Sequence, residues 1–224
     1  MKCAALIVIS IFIGALQSCN DKASTRNATQ MTAKPELNDT DKYILDAIRK
    51  KVWSGFYTPD EVDSMVDDLL EGDAHEDFLR EAIAPEFAKK REAEKTWPEQ
   101  TDCDRLDAAF RALEQRGILC LQNAGYTMSE GEQEAFEMLS DQPDDKYSGY
   151  CFYHGQDLEN AVDGGGLMIA FNYIVGKAPG QLGIGLALKE ELERAGFTLE
   201  WNGTAEKRIN IPNIEWKRRY RKEG

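Results

Sequence analysis

The chain has 224 residues, of which 42% are hydrophobic, 30% charged and 9% aromatic. That length fits one domain or one and a half with a sizeable core, and it excludes a mostly disordered chain, a collagen-like repeat and a polytopic membrane protein. Forty acidic against 27 basic side chains leave a net charge of −13; a body this acidic repels phosphate backbones and argues against nucleic acid as a partner.

Met1-Lys2 opens the chain with a minimal positive charge, and Cys3 to Leu16 is apolar apart from Ser10. As a helix this stretch rises only about 21 Å, short of the ~30 Å hydrocarbon core, and suits the apolar region of a signal peptide. Leu16-Gln17-Ser18-Cys19 resembles the bacterial lipobox: a branched apolar residue at −3, a small residue at −1, then cysteine. The resemblance implies diacylglycerol transfer to the Cys19 thiol, cleavage before it, and N-acylation; only a thiol can take the thioether. Acyl chains at ~0.8 kcal/mol per buried CH₂ make a firm membrane anchor. An ordinary secretory leader and an uncleaved anchor are the alternatives, and Leu16 is bulky for general leader cleavage. Residues 1–18 thus read as a lipoprotein signal peptide. Residues 19–39, rich in Ser, Thr, Asn, Lys and Ala, read as a lipidated flexible tether. The expected address is the cell membrane or outer membrane, with the domain facing the periplasm or the cell exterior. Asn20 after the acylated cysteine favours the outer membrane by the sorting rule of enteric-type cells.

Of the five cysteines, Cys3 leaves with the leader and Cys19 is acylated on this reading, so Cys103, Cys120 and Cys151 remain. Three thiols outside the cytoplasm permit one disulfide and one buried thiol, or three buried thiols, and their spacing assigns no pairing.

Residues 40–98 form an acidic helical lead. Ile44, Ala47, Ile48 and Val52 recur at helical spacing. Thr58-Pro59-Asp60-Glu61 is a helix start with cap, first-turn proline and back-reaching carboxylate, followed by Val62, Met65, Val66, Leu69 and Leu70, with Gly72 closing the segment. Phe78, Leu79, Ala82 and Ile83 begin a third helix, which Pro85 kinks or restarts. From Thr101 the pattern interleaves. Thr101 caps a helix striped by Leu106, Ala109, Phe110 and Leu113 and stopped by Gly117. Ile118 to Leu121 is a strand. Ser129 with Glu132 forms a capping box leading into Ala135, Phe136 and Leu139. Tyr150 to His154 is an aromatic strand, and Gln156 to Val162 a short helix. Leu167 to Phe171 is a strand, and Ile184, Leu188, Leu192 and Ala195 stripe a helix ended by Gly196. Leu199/Trp201 and Ile209/Ile211 alternate as two closing strands around the turn signal Asn202-Gly203. The fold class is therefore α/β (α+β): a helical N-terminal lead, then a small four- to five-stranded mixed sheet packed with helices over residues 99–216, the two parts forming one unit. Lys217 to Lys222 carries five cations, and residues 217–224 read as a frayed, solvated basic tail.

The nucleophile elbow GxSxG, the HExxH helix and the P-loop are absent, and His75-Glu76 lacks the second histidine of a zincin. Gly164-Gly165-Gly166 precedes a strand and is no dinucleotide fingerprint. Asp141, Asp144 and Asp145 do not fit a calcium loop and read as a polar surface turn. No cofactor and no metal site is expected. The one constellation with chemical content is Tyr153-His154-Gly155-Gln156-Asp157, at the carboxyl end of a strand and the start of a helix, where α/β sheets place ligands. Tyr153, His154, Gln156 and Asp157 are candidates for binding a polar ligand. His154 is a candidate base oriented by Asp157. A structural role competes with both: Asp157 capping the helix, His154 bonded to backbone, and the aromatics in the core.

Three segments together resemble an uncharacterised bacterial domain family: Thr101-Asp102-Cys103-Asp104-Arg105-Leu106-Asp107-Ala108-Ala109-Phe110 with Gly117-Ile118; Gly149-Tyr150-Cys151-Phe152-Tyr153-His154-Gly155-Gln156-Asp157; and Gly196-Phe197-Thr198-Leu199-Glu200-Trp201-Asn202-Gly203 with Arg208-Ile209. The resemblance covers residues 40–220 and implies a shared fold without an established activity. Relatives carry a Cys-rich turn after the Gly-Ile strand. Here Gln122-Asn123-Ala124-Gly125-Tyr126 stands instead, without a cysteine, so a metal role suspected for those relatives does not transfer. Two functions are expected to compete. One is a lipid-anchored, non-enzymatic binding domain for a protein or small polar ligand, an acidic immunity-type protein masking a basic toxin being one form. The other is a hydrolase or transferase using His154 with Asp157, which requires a pocket where these converge with Gln156.

Overall fold

The structure is a computed structural model that describes residues 35–177 and 179–220. The leader, Cys19 and most of the tether lie outside the described residues.

Among the described residues, seven helices and four strands follow in the order α1 (Asp39–Ser54), α2 (Pro59–Asp67), α3 (Glu76–Glu94), α4 (Asp102–Gln115), β1 (Ile118–Gln122), α5 (Met128–Ser140), β2 (Gly149–Tyr153), α6 (Gly155–Val162), β3 (Leu167–Tyr173), α7 (Gly180–Arg194) and β4 (Ile209–Ile211). Five helices open on one device, a side chain accepting the N3 backbone N–H while the N3 carboxylate reaches back. The pairs are Asn38/Asp41, Thr58/Glu61, Thr101/Asp104, Thr127/Glu130 and His154/Asp157. Each satisfies two donors that a helix start leaves orphaned. The expected box at Ser129/Glu132 is thus two residues late: Thr127 caps α5, which starts at Met128, whose side chain packs against the core beneath the helix.

The sheet order is β1-β2-β3-β4, with β1 and β2 parallel and the remaining pairs antiparallel. The parallel pair requires a crossover, which α5 supplies. Period-two alternation then divides the strand residues between two cores. Ile118, Cys151, Tyr153, Leu167, Ile169, Phe171, Ile209 and Ile211 face α4, α6 and α7, whereas Leu119, Leu121, Tyr150, Phe152 and Ala170 face α5. A third core, Ile44, Ile48, Val52, Val62, Val66, Leu79 and Ile83, knits α1, α2 and α3. Asp41 fastens that lead: fully buried, it accepts from the backbone N–H of Asn38 (3.0 Å) and His75 (2.9 Å), and lies 2.8 Å from His75 Nδ1. Arg49 and Lys50 of α1 pair with Asp163 beside α6, and from Pro35 onward the chain is one compact unit.

Several expectations are corrected. The helix α3 runs through Pro85 instead of restarting; the proline is exposed, so the solvent can satisfy the carbonyl left without an N–H partner. The helix α2 ends at Asp67, before Leu69, Leu70 and Gly72. Phe136, read with Ala135 and Leu139 as the apolar residues of α5, is 58% exposed and meets the edge of Tyr150 (ring centroids 5.7 Å). The strand expected at Leu199–Trp201 shrinks to a single bridge, Glu200 to Asn210, because Trp201 Nε1 donates to the Thr204 and Lys207 carbonyls and fixes a turn there.

The basic tail is corrected most. Among its described residues, Arg218 is only 12% exposed in its side chain and pairs with Asp107. Arg219 donates to the Trp97, Pro98 and Glu99 carbonyls. Trp216 is buried, donating from Nε1 to the Ser54 carbonyl (3.0 Å). The segment 214–220 is a strap across the body.

Candidate functional site

His154 lies one residue beyond β2 and caps α6. Its extended backbone lets Nδ1 accept the Asp157 N–H (3.3 Å), while Asp157 Oδ2 accepts the His154 N–H (3.4 Å). An accepting Nδ1 leaves the proton of the neutral ring on Nε2, which lies 3.1 Å from Asp157 Oδ2. Arg208 Nη1 donates to both Asp157 oxygens, at 3.0 and 2.9 Å. Burial disfavours the imidazolium, Asp157 works against that and Arg208 with it, and the net effect holds the His154 pKa below the ordinary 6.5. His154 and Asp157 are 5% and 6% exposed, so this is a closed clip with its hydrogen-bonding capacity turned inward.

The structure therefore brings His154 and Asp157 together, but Gln156 points away: it is exposed on the first turn of α6. Anion binding at this helix start is blocked as well. The N–H groups of Gly155 and Gln156, which would face a phosphate, donate to the Gly125 and Tyr126 carbonyls at 2.9 and 3.1 Å.

Tyr153 belongs to a different cluster. Its hydroxyl, held neutral by burial, donates to Gln122 Oε1 at 2.9 Å. Gln122 Nε2 donates to Asp107 Oδ1 (3.1 Å), and Arg218 bridges Asp107 (2.6 Å) to the same Gln122 oxygen. Phe56 and Trp216 flank the Arg218 guanidinium, with ring centroids 4.7 and 5.5 Å away. Arg218 Nε is buried without a hydrogen-bond partner among the described residues.

This network walls a cavity of about 480 Å³ between α4, the β1 edge and the strap. Cys120 and Gln122 come from the strand, Asp107, Arg111 and Glu114 from α4, and Arg218 and Arg219 from the strap. Three arginines and two carboxylates line the cavity, Arg218 paired with Asp107 and Arg219 3.9 Å from Asp104, so the opening is strongly polar. A larger groove of about 750 Å³ runs past Phe136, Tyr147, Tyr173 and Val175 on the α5 side.

The model of one family, described as Domain of unknown function (DUF6891), matches residues 38–220. The chain belongs to this family. The match spans α1 through the strap, so the DUF6891 domain includes both the helical lead and the docked basic residues. No curated protein and no solved structure matches the chain.

Within the DUF6891 domain, no group of three or more His, Cys, Asp or Glu side chains is placed to hold a metal ion, among the described residues. Nor, among these, is any helix long and apolar enough to cross a membrane. Of the candidate site residues Tyr153, His154, Gln156 and Asp157, Tyr153 joins the network that walls the cavity. Asp107, Gln122 and Arg218 were missed. A signal for Arg218 is present: Ile214, Trp216 and Arg218 alternate with Glu215, Lys217 and Arg219, the period of an extended segment lying on a surface.

Proposed function

We propose that this protein is a lipid-anchored envelope lipoprotein whose DUF6891 domain binds a small polar ligand bearing an anionic group, without catalysing a reaction. The cavity beside Arg218 carries the reading: it gathers Arg111, Arg218 and Arg219 at one opening, with the amide of Gln122 as a polar wall. Arginine forks suit carboxylate and phosphate groups. The inward-facing clip at His154 supports the non-catalytic part, since a general base needs a lone pair that a substrate can reach. The anchor rests on Leu16-Gln17-Ser18-Cys19.

Two measurements test the two halves. Mass spectrometry of protein extracted from membranes should find a chain that begins at an acylated Cys19, and Cys19→Ala should release the domain from the membrane fraction. Titration of the extracted protein with inorganic phosphate, sulfate and small carboxylic acids should raise the unfolding temperature for at least one of them. Arg111→Glu, at the exposed rim, should abolish that rise and spare the fold. A ligand response that survives Arg111→Glu places binding outside the cavity and overturns the assignment.

A further inference from the structure

The floor of the same cavity holds a feature that binding does not use. Cys120 of β1 and Cys151 of β2 stand directly opposite each other in the parallel register, and their sulfurs are 3.3 Å apart. Neighbouring strands run ~4.8 Å apart, inside the 4.4–6.8 Å Cα separation that a disulfide spans, so bond formation needs side-chain rotation and no strand movement. Cys120 lines the cavity, whereas Cys151 is fully buried behind it. Cys103 sits at the start of α4, buried, with burial pushing its thiol pKa up to about 12.

We infer that Cys120 and Cys151 are a disulfide-forming pair, with Cys120 the thiol that meets the oxidant and Cys151 the one that resolves it, while Cys103 remains a thiol. The oxidant is a disulfide, either small or carried by a protein. The Cys120 thiol loses its proton to solvent in the cavity, and its thiolate attacks one sulfur of the donor. A mixed disulfide forms, and the donor's other sulfur leaves as a thiolate and takes up a proton. Cys151 then loses its proton and attacks Cys120 Sγ; the second donor thiolate leaves and is protonated. Two protein thiols are oxidised by two electrons in all, and one donor disulfide is reduced to two thiols.

The bond would join two strands whose sequence separation is 31 residues and restrict the unfolded chain accordingly. Burial, reinforced by Cys151, raises the Cys120 thiol well above its usual range. Thiols of that kind leave slowly, which suits a lasting cross-link better than a cycling one. The inference rests on strand register and is independent of the anchor: a protein without acylation would still pair these sulfurs in the presence of a disulfide donor. An extracytoplasmic address would supply such donors in the cell.

The test is peptide mapping without reduction, on full-length protein purified in detergent with reductant and then incubated with oxidised glutathione. The expected product is a single linked peptide pair, Cys120 to Cys151, with a mass lower by two hydrogens. Cys103 should be alkylated only after denaturation, and the unfolding temperature should rise by several degrees. Cys151→Ala should stop the reaction at glutathione attached to Cys120; Cys120→Ala, at the more accessible position, should remove both the link and the adduct. Persistence of free Cys120 and Cys151, a stable glutathione adduct on the wild-type chain, or a link to Cys103 would each overturn the inference.

Discussion

Tyr153 and His154 share a peptide bond and serve two separate clusters. The tyrosine hydroxyl donates to Gln122 Oε1 at 2.9 Å beside the cavity, whereas the histidine ring turns to cap α6 through Asp157. The last strand residue still obeys the alternation of the sheet; the next one obeys the geometry of a helix start. Chemistry at one of these residues therefore says little about the other.

If His154 is a cap, what matters is an acceptor at that position rather than an imidazole. His154→Ala should lower the unfolding free energy by about 1 kcal/mol, the usual worth of a lost N-cap. His154→Asn, which retains an acceptor of the right reach, should recover most of it. Urea unfolding of the two variants decides this. Equal losses would show that the imidazole contributes something other than the cap.

Acid should weaken the fold through the same residue. The His154 pKa is depressed in the folded protein, so below the ordinary histidine value of 6.5 the unfolded chain binds the extra proton first. The contribution is fully present above pH 6.5. It declines as pH falls from there toward the folded pKa, because stability rises with pH wherever the unfolded state holds more protons. A protonated Nδ1 would face the Asp157 N–H and break the cap. Chemical denaturation between pH 7.5 and 5, on an otherwise ordinary curve, should be visibly flatter for His154→Asn.

Arg218→Ala should be among the costly substitutions. It leaves Asp107, 13% exposed in its side chain, without its counter-charge, and removing one partner of a largely buried pair costs roughly 3 kcal/mol. Lys189→Ala, which removes a pair from the exposed face of α7, should cost less than about 0.5 kcal/mol. Were the two equal, the docked strap would not be a stable part of the protein in solution.

Gly131 offers a test of packing. It lies inside α5, where alanine is intrinsically the better helix former by nearly 1 kcal/mol. A Cβ there would overlap the Phe152 ring and crowd the Ala124 carbonyl. Gly131→Ala should therefore destabilise by about 1–3 kcal/mol, the cost of overpacking, in spite of its helix propensity. A gain in thermal stability would show that α5 does not sit this close to β2.

Much of this protein is legible one segment at a time. Thr58 and Thr101 announce their helices because a cap and its N3 carboxylate lie three residues apart and need nothing distant. The two faces of β2 follow from its own alternation, and the membership of Cys151 and Tyr153 in one core and of Tyr150 and Phe152 in the other is already written there. The anchor reading likewise depends on nineteen contiguous residues. What the sequence does not carry is which remote segments meet. Lys217 to Arg219 has the composition of a solvated tail, and only the placement of Asp107 and Gln122 beneath it turns Arg218 into a buried pair. Cys120 and Cys151 become partners through the register of a parallel crossover, which no spacing specifies. Phe136 stays mostly exposed because α5 turns Ala135 and Leu139 toward the sheet. Local hydrogen bonding and periodicity are properties of a few adjacent residues, while a cavity, an ion pair across 111 positions or a thiol pair exists only once the chain has closed on itself.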